Sequence, residues 1–213
     1  MLAALPQPGL VLFPGFTAQR PETFFVKCDS GSSTMAHYQV SFASPTGGPG
    51  APLMRINEEE KKTIIFRLLN GQEAMRIVKQ VHNWSGKSPE YHGYAPDGRK
   101  LWHLSLKSGL LKTKYVLTWE PGSGSCMPSV EIENKTSSGD LGLLVNGSLA
   151  MTVTKPNILK WRRENVVNVA PGMDILLALG LNWIRYDKQS MDAKAIGKGV
   201  GDGGDSVAAI SGE

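Results

Sequence analysis

"PGMDILLALGLNWIRYDK", Pro171 to Lys188, is the densest apolar run of the chain, and charges bracket it. A helix that crosses a bilayer needs about 20 mainly apolar residues to cover about 30 Å of hydrocarbon. Asp174 and Arg185 here bound only Ile175 to Ile184, with Asn182 inside, so the stretch is too short to span. Ile175, Leu176, Leu177, Leu179, Leu181 and Ile184 point to every side of a helix rather than along one stripe, so no single flat surface covers them. Protein must enclose this helix. Pro171 suits the first helical position, where a missing N–H costs nothing, and Asp174 sets a negative charge against the positive end of the helix dipole. Gly180 costs about 1 kcal/mol relative to Ala in a helix interior. A close neighbour and tolerated weakness explain it equally well.

What encloses the helix lies upstream. From Thr23 to Val169 the hydrophobic period is two, in short runs separated by Gly, Pro, Asn and Asp, which is the pattern of strands with one buried and one wetter face. Tyr38, Val40 and Phe42 alternate with His37, Gln39 and Ser41. Trp102, Leu104 and Leu106 alternate with His103 and Ser105, and Tyr115, Leu117 and Trp119 with Lys114, Val116 and Thr118. Asn70-Gly71 and Asn146-Gly147 separate pairs of such runs, and Asn-Gly accepts the positive φ angles of tight hairpins. Pro96-Asp97-Gly98 marks a further turn. Roughly a dozen strands at this spacing predict a barrel or sandwich. A sheet closed around the helix satisfies both halves of the pattern and removes exposed strand edges. A sandwich with the helix on its surface would leave half of the Ile175–Ile184 surface wet, at about 25 cal/mol per Å² of apolar area.

The expected fold class is therefore mainly β: an antiparallel closed barrel of about twelve strands around a C-terminal hydrophobic helix. The 213 residues, 41% of them hydrophobic, suit one large all-β domain. Residues 1–9 read as a flexible N-terminus, 10–190 as the domain, and the Gly-rich stretch 191–213 as a disordered tail. The 23 Lys and Arg against 19 Asp and Glu suit an anionic partner without requiring one. Cys28 and Cys126 are far apart and lack metal-ligand spacing, so neither a disulfide framework, a zinc site nor another cofactor is expected. The N-terminus, broken by Pro6, Pro8 and Pro14 and without early Lys or Arg, is a poor signal peptide. The expected compartment is the cytoplasm, which makes the sequons at Asn83, Asn134 and Asn146 coincidental.

Catalytic patterns are absent. Gly86-Lys87-Ser88 resembles the end of a phosphate-binding loop, but the first glycine of that motif falls on Val81. Gly122 to Cys126, "GSGSC", does not form a nucleophile elbow. His37, His82, His92 and His103 are spread through the strands, and no nucleophile–base–orienter set follows from their spacing. His103 reads as an outward-facing strand residue. The chain is expected not to be an enzyme. "KPNILKWRREN", Lys155 to Asn165, gathers Lys155, Lys160, Arg162 and Arg163 around Trp161, and cations beside an interfacial aromatic suit an anionic membrane surface. Lys107, Lys112 and Lys114 form a second group. Two solvated strand ends are the competing reading. No stacking platform for nucleic acid is evident.

Two further stretches carry a family resemblance. "LFPGFTAQRPETFFVK", Leu12 to Lys27, resembles the opening segment, and "NVAPGMDILLALGLNWIRYDK", Asn168 to Lys188, the last strand, turn and buried helix, of fungal LURP-one-related proteins, which have the tubby C-terminal-like fold. The middle is similar in strand rhythm alone. The resemblance implies a twelve-stranded barrel around the helix. It implies little chemistry: tubby relatives bind phosphoinositides through basic surface residues, scramblase relatives are linked to phospholipid movement, and many LURP-one-related members have no settled activity. The expected function is a non-enzymatic binding or scaffold module. Its partner is anionic phospholipid, met peripherally through Lys160, Trp161, Arg162 and Arg163, or an unknown protein. A scramblase-like phospholipid-handling protein is the alternative.

Overall fold

The computed structural model of the chain describes residues 2–29, 37–60, 62–82, 88–108, 113–121, 127–133, 141–154 and 164–201. Twelve strands precede one helix: β1 Glu22–Cys28, β2 His37–Ala43, β3 Pro49–Glu60, β4 Thr63–Leu68, β5 Glu73–Gln80, β6 Glu90–Tyr94, β7 Lys100–Ser108, β8 Thr113–Trp119, β9 Val130–Glu133, β10 Leu141–Val145, β11 Ser148–Thr154, β12 Glu164–Val169 and α1 Ile175–Gly201. Each strand pairs antiparallel with the next, and β1 pairs with β12 from Glu22 opposite Val169 to Lys27 opposite Glu164, which closes the barrel. The expected architecture is the observed one.

The helix fills the lumen. Leu176, Leu177, Ala178, Leu179, Leu181 and Ile184 are all fully buried, as are the inward-facing Phe24, Val40, Met54, Phe66, Met75, Ile77, Leu104, Leu143 and Val167 around them. At Gly180 the helix runs close to β5: a methyl group there would lie 3.1 Å from both Met75 Cε and Ile77 Cδ1. Close packing, rather than tolerated weakness, accounts for it. On β6, a side chain at Gly93 would collide with the buried Trp102 ring of β7, so the indole occupies the space that the missing Cβ leaves.

The turns follow their residues with one amendment. Val145 pairs with Ser148 across Asn146-Gly147, and both turn residues have positive φ (48° and 76°), the pattern of a two-residue type I′ hairpin. At Asn70-Gly71 only Gly71 has positive φ (84°), and the Leu68 N–H donates to Gln72 O. This loop is longer than the two-residue hairpin expected.

The helix start also differs. Pro171 and Gly172 are the central residues of a turn in which Met173 N–H donates to Ala170 O and Gly172 has a φ of 85°. Proline followed by a positive-φ glycine defines a type II turn. The helix then begins at Ile175, and Asp174 is its N-cap: Asp174 Oδ1 accepts from Leu177 N–H at 3.0 Å. Asp174 Oδ2 accepts from Leu12 N–H at 3.0 Å and Phe13 N–H at 2.8 Å. One carboxylate thus starts the helix and fastens the N-terminal segment across the barrel end. Residues 2–9, expected to be flexible, dock there: Leu5 is buried, Leu5 N–H donates to Pro171 O, and Leu10 N–H donates to Gly172 O. At the other end α1 continues to Gly201, past the boundary expected at residue 190. The residues just beyond that boundary, Met191 to Ile196, lack the glycines and prolines that stop a helix. Residues 202–213 lie outside the described residues.

Three outcomes follow. Leu177→Asp or Leu179→Asp places an uncompensated carboxylate in the filled lumen, costs several kcal/mol, and yields no soluble folded protein. Gly93→Ala costs about 3 kcal/mol by overpacking against an indole that has nowhere to move, read as a lowered denaturation midpoint. Asp174→Ala leaves the Leu12, Phe13 and Leu177 N–H groups without their partner and costs on the order of 3 kcal/mol at neutral pH, more than the ~1 kcal/mol of an ordinary N-cap. Burial pushes the Asp174 carboxyl up to about 6, against the hydrogen bonds from Leu177, Phe13 and Leu12 that favour the anion. The folded protein therefore takes up this proton before the unfolded chain does, and the stability that Asp174 contributes declines as pH rises from about 4 to 6. The difference in unfolding free energy between parent and Asp174→Ala is accordingly larger at pH 4.5 than at pH 7.5.

Candidate functional site at the barrel mouth

Because the strands alternate in direction, every odd-numbered strand ends, and every even-numbered one begins, at the same end of the barrel. The helix enters at the opposite end, after Val169 of β12, and leaves through this mouth. The lumen changes character here. Met75 and Ile77 of β5 face the helix, and the next residue of that parity is Lys79. Its ammonium donates to Asp187 Oδ2 of α1 at 2.6 Å, and the Tyr91 hydroxyl donates to the same oxygen at 2.6 Å. Tyr91 is the cross-strand partner of Lys79, whose Nζ lies 5.9 Å from the centre of its ring. Tyr91 also meets the Trp183 ring edge-on at 6.1 Å.

On the other side of the helix, Tyr186 packs edge-on to Tyr38 at 5.9 Å. Burial pushes the Tyr38 hydroxyl far above the ordinary phenol range, with Tyr186 and Cys28 adding to the effect. Arg185, only 3% exposed, is pulled down to about 10 by burial, with the nearby Tyr115 working the other way. It remains a cation at neutral pH. Three consecutive helix residues, Arg185, Tyr186 and Asp187, thus replace apolar packing with a polar collar. A long polar side chain on an inward strand parity was the sequence signal for this collar. Lys79 fits that description, and sequence reasoning missed it.

Two cations stand on the outer wall at this end of the barrel. Lys107 of β7 and Lys114 of β8 are exposed, stand directly opposite each other in the ladder, and form no ion pair among the described residues. Like charges at directly paired strand positions destabilise a sheet. Lys160, Trp161, Arg162 and Arg163 lie outside the described residues, as does Lys112. The strand ends that carry the 155–163 connection, Thr154 of β11 and Glu164 of β12, are at this same mouth. Among the four histidines, His92 and His103 come together on the outer wall, with ring centres 6.1 Å apart. His37 bonds Asn57 at 3.1 Å, and His82 lies 3.5 Å from Glu90. No helix among the described residues is long and apolar enough to cross a membrane.

The chain has a structural likeness to an X-ray structure of a protein from Arabidopsis thaliana, with a TM-score of 0.57 at 10% identity, covering 85% of this chain and 99% of that one. At that identity the likeness shows a shared fold. No family model matches the sequence, and no curated protein matches it.

Lys79 and Asp187 are mostly buried, with side chains 13% and 21% exposed, so breaking the pair leaves a charge in a poorly solvated place. Asp187→Leu destabilises the protein by about 2 kcal/mol, and a double-mutant cycle with Lys79→Met returns a coupling of about 1–3 kcal/mol. A coupling near zero in chemical denaturation would show that the collar does not hold the helix.

Proposed function

We propose that the chain is a non-enzymatic binding module of the LURP-one-related kind, of fungal type, that works in the cytoplasm and attaches peripherally to anionic phospholipid through the barrel mouth. The observation that carries this reading is the Lys107–Lys114 pair: two exposed cations directly opposite each other in the ladder, with no ion pair to either among the described residues, are relieved by an anionic surface. The anchoring of the 155–163 connection at the same mouth supports extending the contact to Lys160, Arg162 and Arg163, with Trp161 at the headgroup boundary. A lumen filled by α1 leaves the outer rim, rather than the interior, as the place for a ligand. Attachment of this kind needs no transmembrane segment and no cofactor, and it weakens as salt screens the charges.

Co-sedimentation with anionic vesicles across salt concentrations tests it. Lys107→Glu/Lys114→Glu and Lys160→Glu/Arg162→Glu each weaken binding by about 2–4 kcal/mol at low salt, from about 1 kcal/mol per cation near the surface plus the new repulsion. The fold survives both changes, since solvated surface substitutions stay within about 0.5 kcal/mol. Folded variants that bind vesicles as the parent does would sink the reading. Binding that ignores salt would replace it with apolar insertion, and acceleration of lipid exchange between leaflets would favour a scramblase-like protein.

A further inference from the structure

The outer wall of β5 to β8 carries a second concentration of chemistry, separate from the cations of the mouth. His92 of β6 and His103 of β7 are direct cross-strand partners. Their neighbours along each strand, Tyr91 and Gly93, and Trp102 and Leu104, are buried, so both imidazoles stand on the outer face. Their ring centres are 6.1 Å apart, with 35° between the planes.

Each ring has a side-chain oxygen near one of its nitrogens. His92 Nε2 is 3.0 Å from Gln80 Oε1. A carbonyl oxygen only accepts, so that nitrogen carries the proton and Nδ1 keeps its lone pair. His92 Nδ1 is buried and has no hydrogen-bond partner. On the other ring, His103 Nδ1 lies 3.8 Å from Glu120 Oε1, which places the carboxylate on that side of the imidazole and Nε2 on the other. An imidazole oriented by an oxygen at one nitrogen, with a lone pair at the other, is the usual arrangement of a metal-binding histidine. Lys100 is 2.7 Å from Glu120, and burial together with Lys100 lowers the proton affinity of His92.

We propose that His92 and His103 form a two-imidazole site for a divalent transition-metal ion on the outer wall of the barrel. With metal–nitrogen bonds of about 2.0–2.1 Å, two imidazoles on a tetrahedral ion have ring centres about 5.2 Å apart, about 1 Å closer than here. Side-chain rotation supplies that movement. No group of three or more His, Cys, Asp and Glu among the described residues is placed to hold a metal ion, so water completes the coordination and the ion exchanges readily. Imidazole ligands suit Cu²⁺ and Zn²⁺, with Cu²⁺ the tighter. Mg²⁺, which takes oxygen ligands, does not bind.

The test is calorimetric titration of the untagged chain with Cu²⁺, Zn²⁺ and Mg²⁺ at pH 7.5, on the parent and on His92→Gln, His103→Gln and His37→Gln. The expected result is one saturable equivalent of Cu²⁺ and, more weakly, Zn²⁺. His92→Gln and His103→Gln each weaken binding at least about tenfold, and His37→Gln leaves it unchanged. Absence of saturable Cu²⁺ binding, or parent-like binding by a folded His92→Gln or His103→Gln, overturns the proposal. Substoichiometric Cu²⁺ added to the parent provides a readout that needs no variant: the ring protons of His92 and His103 broaden first in the NMR spectrum. Prior broadening of His37 or His82 also overturns it.

Discussion

The Asp174 carboxylate organises this molecule more than any other single group. Its two oxygens accept from backbone N–H groups at the first turn of α1 and in the N-terminal segment, parts of the chain about 160 residues apart. Taking a carboxylate fully out of water is expensive unless its oxygens are satisfied, and here they are satisfied only when the helix has begun and the N-terminal segment has docked. The same group therefore reports on three events: the Pro171-Gly172 turn, helix initiation and closure of that barrel end. At the opposite end, the Lys79–Asp187–Tyr91 cluster does the complementary work. It fixes where the helix leaves, so α1 is clamped by a carboxylate at each side of an apolar middle.

This arrangement separates the roles of inside and outside. The inward faces of the strands are committed to packing against Leu176 to Ile184, with Gly180 where neighbouring side chains leave little room for a Cβ and Gly93 where they leave none. Chemistry is left to the mouth and the outer wall, where charge patterning can vary at little cost to the core. A filled barrel of this kind is a carrier of surface features rather than a container.

Much of the fold was legible because it rests on local patterns. Alternation in the strands, Asn146-Gly147 and an apolar helix without a polar face each have one economical solution, and together they require closure. Pro171 misled because proline before glycine and an acid suits both a first helical position and a type II turn. The positive φ of Gly172 decides between them, and Leu5 and Gly9 lie against the space where a side chain would stand. The site was harder to see. Lys79 and Asp187 are 108 residues apart, and only the strand order brings them together. His92 and His103 were individually readable as outward-facing, but their pairing depends on the β6–β7 register, which shifts by one residue between Gly93 and Tyr94. The basic stretch around Trp161 lies outside the described residues, and the role proposed for it draws on composition and on the position of its anchoring strands.

The order of elements along the chain has a consequence for synthesis. All twelve strands leave the ribosome before the helix that their inner faces are built to cover, and β1 waits for β12, 147 positions later at Glu22 and Val169. Until Ile175 to Ile184 emerge, the nascent chain carries a succession of hairpins whose apolar faces have nothing to pack against and whose outermost edges are unpaired, the condition under which β proteins aggregate. Closure of the barrel is therefore a late event with high contact order, and until it happens the growing chain presents apolar surface that must be kept from other chains.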